Sequence, residues 1–197
     1  MSTSSEGAII GVSDHAGWAV LVTVAADGKV LDSRRAELVD AHLPVMPIHH
    51  EAQKLPLEQA VDLVERVRLS AEQHATRALD AVARAVASPI RGVALRTCPP
   101  LPPTVAERLE NYRAKNVADW VMYRVAIAGA AQSRGWSVHW YDAKTVVGAV
   151  CEALHVKTLD AYFLEARKAF GPPWDKDHKV ATAAAISVTL EKKADPA

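Results

Sequence analysis

The sequence predicts an α/β fold in which helices cover both faces of a mixed five-stranded sheet. Its first part, Ala8 to Asp40, has the pattern of three successive strands in a meander, and the rest is mostly helical with two further strand patterns. The predicted order is β-β-β-α-β-α-β-α, followed by two more helices. Because strands linked through helices need crossover connections, the helices must lie on the faces of the sheet.

Composition indicates one globular domain. Of 197 residues, 50% are hydrophobic and 23% are charged, which is enough to build a single core. We therefore expect a domain over residues 8–191, with tails at 1–7 and 192–197. Basic and acidic residues both number 23, so no basic excess marks a nucleic-acid surface. Two cysteines and the lack of a long apolar run predict a cytoplasmic protein that does not contact a membrane.

The meander contains three predicted strands and two short connections. Ala8 to Ser13 is a short apolar run, and Asp14 to Gly17 then forms a tight connection. Trp18 to Val24 is the second strand. The Asp-Gly pair that follows, at 27 and 28, is the strongest short signal of a hairpin, and Lys29 to Leu38 is the third strand.

The middle of the chain begins with a long loop from Asp40 to Pro56, which contains three prolines and the run His49-His50-Glu51. Loops of this length in compact domains often carry function. A helix should run from Leu57 to Ser88, where Pro89 ends it, and a fourth strand from Ile90 to Thr97.

The remaining third is predicted to be helical around one strand. Thr104 and Glu107 form a capping box that begins a helix. The predicted elements are a helix from Thr104 to Arg134 with a break near Lys115, a strand over Trp136 to Tyr141, helices over Asp142 to Leu154 and Thr158 to Phe170, and a last helix capped by Asp175. The small residues from Val180 to Ile186 should let that helix lie close to the sheet.

This order, with a glycine-bearing hairpin in front and an alanine-rich helix at the back, resembles the ribonuclease H-like fold. The opening IIGVSDHAGWAVLVTV is similar to the first hairpin of the Holliday-junction-resolvase type. As topology, the resemblance covers most of the chain, from Ala8 to Leu190. It implies a nuclease that uses Mg²⁺ or Mn²⁺, with carboxylates from strand one, a central position and the last helix meeting at one end of the sheet.

The resemblance implies specific positions for these acids. Its first acid should directly follow the apolar run, where this chain has Ser13, and Asp14 comes one residue later. A one-residue offset in a strand reverses the face, so Asp14 serves only if the strand has already ended. At the central position the chain has Thr97 and Cys98 instead of an acid. On the last helix, Asp177 is the best match.

We therefore expect Asp14 and Asp177 to bind the metal, with Glu51 and His50 as further ligands. Glu58 matches an acid early in the first helix, and Glu51 is its alternative. His178, beside Asp177, would transfer a proton or add a ligand. Three of these acids also have a structural interpretation: Asp14 suits a turn, and Glu58 and Asp177 suit the first turn of a helix, where the dipole favours negative charge.

Two functional hypotheses follow. The first is a divergent metal-dependent nuclease or resolvase-like protein that acts on the phosphodiesters of DNA or RNA. The second is a catalytically inactive ribonuclease H-like module for binding or scaffolding, which the missing central acid and the neutral charge favour. The expected partner is nucleic acid, and a protein partner or a homodimer stays open.

Overall fold

The computed structural model describes residues 7–194, and the side chains of residues 7–190. Most of the expected tails at 1–7 and 192–197 lies outside the described residues. The exceptions are residue 7, directly before the first strand, and residues 192–194, which are part of the last helix. The strands are β1 (Ala8–His15), β2 (Trp18–Val24), β3 (Val30–Glu37), β4 (Ile90–Arg96) and β5 (Ser137–Tyr141). The helices are α1 (Leu57–Ala85), α2 (Val105–Glu110), α3 (Tyr112–Lys115), α4 (Ala118–Gln132), α5 (Val146–Ala153), α6 (Asp160–Phe170) and α7 (Lys176–Ala194).

The five strands form one mixed sheet in the order β3-β2-β1-β4-β5. β1 pairs with β2 and β2 with β3 in antiparallel fashion, whereas β4 is parallel to both β1 and β5. The meander thus forms one half of the sheet and the helix-linked strands form the other, as the sequence predicts. β1 lies at the centre, so both of its faces are covered.

Strand β1 is two residues longer than the sequence indicated. It continues through Asp14 and His15, which pair with Ala19 and Trp18 of β2. The connection is therefore only Ala16-Gly17, and Gly17 has a positive φ of 79°. Because β1 has not ended at Asp14, the side chain of Asp14 points to the face opposite to Ser13 and His15.

Two hydrophobic cores lie on the two faces of the sheet. The first holds Ile10 and Val12 of β1 together with buried residues of α1 and α4. The second holds Ile9 of β1 together with buried residues of α5, α6 and α7. We refer to these two sides as the α4 face and the α7 face. Every functional candidate on β1 must belong to one of them.

The helices follow the predicted pattern with different ends. α1 ends at Ala85 rather than at Ser88, because Val86 is already extended (φ −107°, ψ 137°). The capping box of Thr104 and Glu107 is present. The predicted break near Lys115 is also present, between α3 and α4, and extended Asn111 adds a second break between α2 and α3. None of the helices in the described residues has the length and apolar character to cross a membrane.

The contact between β1 and α7 is a backbone contact. A Cβ placed on Gly11 would lie 1.7 Å from the carbonyl oxygen of Ala181. Ala181, Ala184 and Ala185 are completely buried there. The predicted role of the small residues in α7 is therefore confirmed, and the strand contributes its own small residue to the same contact.

We expect Gly11→Ala to lower the free energy of unfolding by at least about 2 kcal/mol, because α7 must move away from β1 to make room for a methyl group. Gly129→Ala is the matched control, because Gly129 lies in α4 and a Cβ placed on it would meet nothing within 4 Å. It should stabilise the protein by about 0.5–1 kcal/mol. Urea unfolding of both variants measures the difference, and equal stability of the two would contradict the close contact.

Candidate functional site

One polar cluster lies where the end of β1 meets the first turn of α7. Ser13 Oγ donates a hydrogen bond of 2.8 Å to Asp177 Oδ1, and His15 Nε2 lies 2.9 Å from the same oxygen. Ser13 is buried, whereas the side chains of His15 and Asp177 keep 41% and 23% of their exposure. This cluster brings together two residues of the α7 face and the acid that the sequence placed on the last helix.

The first turn of α7 holds Asp177 in place. Asp175 caps the helix as predicted, because its Oδ1 accepts hydrogen bonds from the backbone N–H groups of Asp177 (3.0 Å) and His178 (3.3 Å). The ring nitrogen Nδ1 of His178 lies 2.8 Å from the same oxygen. The hydrogen bond from the His178 side chain is the main reason why the pKa of Asp175 lies below its usual value.

Asp14 belongs to a different group of residues, on the α4 face. Its carboxylate forms a two-pronged ion pair with Arg124 of α4, with distances of 3.1 Å to Nε and 2.7 Å to Nη2. Asp14 and Arg124 are 3% and 4% exposed, so the pair is almost completely removed from solvent. Arg124 Nη1 also donates to the carbonyl oxygen of Thr97, at 2.8 Å, just after β4. The pair therefore connects β1, α4 and the end of β4.

The structure does not bring Asp14 and Asp177 together. The two carboxylates lie on opposite faces of the sheet, because consecutive residues of a strand point to opposite sides. Asp14 would serve the resolvase-like site only if β1 ended before it, and β1 continues to His15. Each carboxylate also has its own partners: Arg124 for Asp14, and Ser13 with His15 for Asp177.

The other predicted ligands also lie away from Asp177. His50, Glu51 and Glu58 are exposed residues of the loop and of the first turn of α1. Their segments pack through Ile48, Ala52 and Ala60 against α1 and α4, which is the α4 side of the molecule. Within the described residues, none of the three has a hydrogen bond or ion pair to Asp14 or Asp177. The ring of His50 instead contacts the ring of His49.

A stack of three side chains extends from the cluster. The ring of His15 is parallel to Trp18, with 4.1 Å between ring centroids, and the guanidinium of Arg35 lies 3.8 Å from the Trp18 ring centroid. His178 lies beyond this stack and lines, with Trp18 and Arg35, a cavity of about 220 Å³ between β2, β3 and the start of α7. His178, the predicted proton-transfer residue, thus lines this cavity and is hydrogen-bonded to Asp175.

The residues of the cluster do not fit a pair of divalent metal ions. Such a pair needs several carboxylate oxygens that the two ions share, and this cluster combines one carboxylate with a hydroxyl and an imidazole. Elsewhere in the described part of the chain, no three His, Cys, Asp or Glu residues group so that they could hold a metal ion. The donor set therefore differs from the one that the resolvase resemblance implies.

Sequence reasoning missed Arg124, His15 and Ser13. Arg124 could not be found, because it meets Asp14 across 110 residues of sequence. The sequence did contain a signal for Ser13 and His15. Both follow Gly11 at intervals of two residues, so they share the face of β1 that α7 contacts. An uninterrupted strand through His15 would have placed both of them beside the last helix.

The loop over residues 40–56 is tied to α4 rather than to the cluster. The buried carboxylate of Asp119 accepts hydrogen bonds from the backbone N–H groups of Ile48 (3.1 Å) and His49 (2.9 Å). Tyr123 Oη donates to the carbonyl oxygen of Val45 at 2.8 Å. Burial raises the pKa of Asp119 to about 6, against the opposing effect of these two N–H donors.

Solved structures of Thermus thermophilus RuvC resemble this chain. The complex of Thermus thermophilus RuvC with a Holliday junction substrate shares 13% identity at a TM-score of 0.53, over 95% of this chain and 96% of the other. A second Thermus thermophilus RuvC structure shares 14% identity at a TM-score of 0.49, over the same proportions. No protein-family model and no curated protein matches the chain.

The likeness shows the fold. This chain has the ribonuclease H-like fold, with a mixed five-stranded sheet and helices, as in the resolvase RuvC. The predicted fold class is therefore confirmed. The site chemistry has to be argued from the side chains described above.

We expect single substitutions of the buried pair, Asp14→Ala or Arg124→Ala, to cost about 3–5 kcal/mol of stability, because each leaves an uncompensated charge. The double variant Asp14→Leu with Arg124→Met should recover most of that loss, since neither charge then remains. Urea unfolding of the complete double-mutant cycle measures this. The exposed pair of Glu165 and Lys168 is the control, and its removal should change stability little. If the stability losses of the two single variants simply add in the double variant, Asp14 and Arg124 are not coupled and the prediction is wrong.

Asp119 predicts a pH dependence of stability. Its folded pKa, near 6, lies above the unfolded value near 3.8, so the folded state binds more protons between these values. The contribution of Asp119 to the free energy of unfolding is therefore fully present below about pH 4. It decreases by about 2–3 kcal/mol as the pH rises through 6. Asp119→Asn removes that contribution. Urea unfolding at pH 4.5 and 7.5 should show a smaller decrease for the variant, and equal decreases would rule out a raised pKa.

Proposed function

We propose that this chain is a nucleic-acid-binding module with the ribonuclease H-like fold that does not hydrolyse phosphodiesters through a metal pair. The observation that carries this proposal is the buried ion pair of Asp14 with Arg124. It places the acid of strand one on the α4 face and neutralises it. The cluster of Ser13, His15 and Asp177 on the α7 face is therefore left with one carboxylate, that of Asp177, which contacts Ser13 and His15.

Support for nucleic acid as the partner comes from the fold and from the cluster. The resolvase that shares the fold was solved with a Holliday junction substrate. At the end of β1 and the start of β2, this chain presents His15, Trp18 and Arg35 as a partly exposed stack. Imidazole, indole and guanidinium groups can meet phosphates and bases. With a net charge of zero over the whole sequence, binding has to depend on such a local surface.

The nuclease hypothesis stays a prediction that the same experiment decides. Asp177 and His15 are adjacent and partly exposed, so one acid and one imidazole are accessible at this end of the sheet. A reaction that depends on Mg²⁺ or Mn²⁺ would need Asp177. A scaffold that binds only proteins would need neither nucleic acid nor metal.

The test combines binding with cleavage. Fluorescent four-way-junction, duplex and single-stranded DNA, and RNA, are titrated with the purified chain in EDTA, and anisotropy is recorded. The same substrates are incubated with Mg²⁺ or Mn²⁺ and resolved on gels. We expect binding to at least one substrate in EDTA, unchanged by metal, with no cleavage.

Two variants make the result specific. Asp177→Asn keeps the side-chain shape and removes the carboxylate, and Asp62→Asn is the matched control on exposed α1. Metal-dependent cleavage that Asp177→Asn abolishes and Asp62→Asn retains would replace our proposal by the nuclease hypothesis. Lack of binding to every nucleic acid would overturn the proposal in favour of a protein scaffold.

A further inference from the structure

Arg96 is the last residue of β4 and lies on the α7 face, beside the cluster. In the parallel pair, Gly11 of β1 is opposite Ala94 of β4, and Ala94 belongs to the core on the α7 face. Two residues further along each strand, Ser13 and Arg96 share that face. The resolvase resemblance implies an acid at the end of the fourth strand, and on this face the chain has a guanidinium there.

Arg96 is half-buried, and its guanidinium has no counterion among the described residues. Its Nε is buried and has no hydrogen-bond partner among the described residues, and no described carboxylate lies within ion-pair distance. The other buried and half-buried arginines do have partners. Arg34, Arg68, Arg124 and Arg134 each bind a carboxylate, and Arg108 binds two carbonyl oxygens. Arg96 is therefore the exception in the described part of the chain.

Arg96 contacts Tyr141 on the neighbouring strand. Burial is the main cause that raises the pKa of Tyr141, and Arg96 opposes this rise through its charge and a hydrogen bond to the phenol. The Tyr141 hydroxyl itself donates to the carbonyl oxygen of Val12, at 2.6 Å. A neutral phenol does not offset a positive charge, so the contact positions the guanidinium without neutralising it.

The missing partner of Arg96 should be an anion. Two other buried side-chain atoms in the described residues also lack partners, the Thr23 hydroxyl and the Trp174 indole N–H, but both are neutral. An arginine cannot lose its proton in a protein, so its charge stays whatever the surroundings. Leaving such a charge half-buried without a counterion is costly, and an anionic ligand removes that cost.

We propose that Arg96 binds a phosphate group of the nucleic-acid backbone beside Ser13, at the end of the sheet where the resolvase resemblance implies metal-binding acids. This rests on the proposed nucleic-acid function and names the group that the site recognises. The fork of a guanidinium matches two phosphate oxygens. Asp177 forms no ion pair with Arg96, and its Oδ1 is bound by Ser13 and His15. The exposed parts of His15 and Asp177 leave the edge of this site open to solvent.

The variant Arg96→Met tests the proposal, since it keeps the apolar stem and removes the charge. We expect DNA affinity to fall about tenfold or more, and the slope of log affinity against log salt to decrease by about 1. Arg77→Met is the matched control, because Arg77 is exposed on α1 on the other side of the sheet. It should retain both affinity and slope. Arg96→Lys should keep most of the slope with weaker affinity, because it keeps the charge without the fork.

Thermal unfolding separates ligand binding from a structural role. Without anions that bind, Arg96→Met should be at least as stable as the wild type, because it removes a charge without a partner. Adding inorganic phosphate at constant ionic strength should raise the Tm of the wild type and of Arg77→Met, but not that of Arg96→Met. A residue with only a structural role would show the opposite: lower stability on substitution and no dependence on phosphate.

The outcomes for Arg96 differ from those for the proposed function. If the wild type binds DNA and Arg96→Met binds it equally well with the same salt slope, the phosphate site is wrong and the nucleic-acid function stands. If the wild type binds no nucleic acid, the proposed function is wrong, and the Tm shift with inorganic phosphate alone decides whether Arg96 is an anion site. Loss of stability in Arg96→Met with no phosphate effect on the wild type would overturn the inference in either case.

Discussion

The buried ion pair of Asp14 with Arg124 is the interaction on which the arrangement of this protein depends. It connects the central strand to α4, and through the Thr97 carbonyl to the end of β4. Two charges removed from water contribute little net stability, but removing one of them alone is costly. The pair therefore acts as a constraint: once α4 carries Arg124 in this place, β1 must present an acid to it. Asp14 serves this structural need and has no free carboxylate oxygen directed to the α7 face.

The strand β1 serves both faces because it does not end where its apolar residues end. Ser13 and His15 point to α7, and Asp14 points to α4, so three consecutive polar residues belong to two separate groups. A strand that ended at Ser13 could turn Asp14 towards α7, as a resolvase-like site requires. The antiparallel pairing of Asp14 with Ala19 and of His15 with Trp18 prevents this. Two extra residues of strand thus decide the chemistry at this end of the sheet.

Local signals predicted the fold well, because they depend on neighbours in sequence. The Asp-Gly turn, the capping box at Thr104 and the cap at Asp175 each act within four residues, and all are present. The site was predicted only in part. The resolvase resemblance pointed to Asp177 on the last helix, but the partners of Asp177 depend on where β1 ends. The partner of Asp14 depends on a contact across 110 residues that no local pattern reports.

The packing of α7 explains how the chemistry can differ while the fold stays. Gly11 and the buried alanines of α7 bring the helix and strand backbones into contact, and Asp177 lies beside residues 13 and 15 next to that contact. A carboxylate at position 13 would then stand against Asp177, and the two like charges would need either a shared proton or a cation between them. Ser13 instead donates a hydrogen bond to Asp177. The carboxylate of Asp177 therefore has a hydrogen-bond partner at position 13 without a bound ion. At this end of the sheet, where the resolvase resemblance implies a metal site, the backbone geometry therefore holds a hydrogen-bonded site.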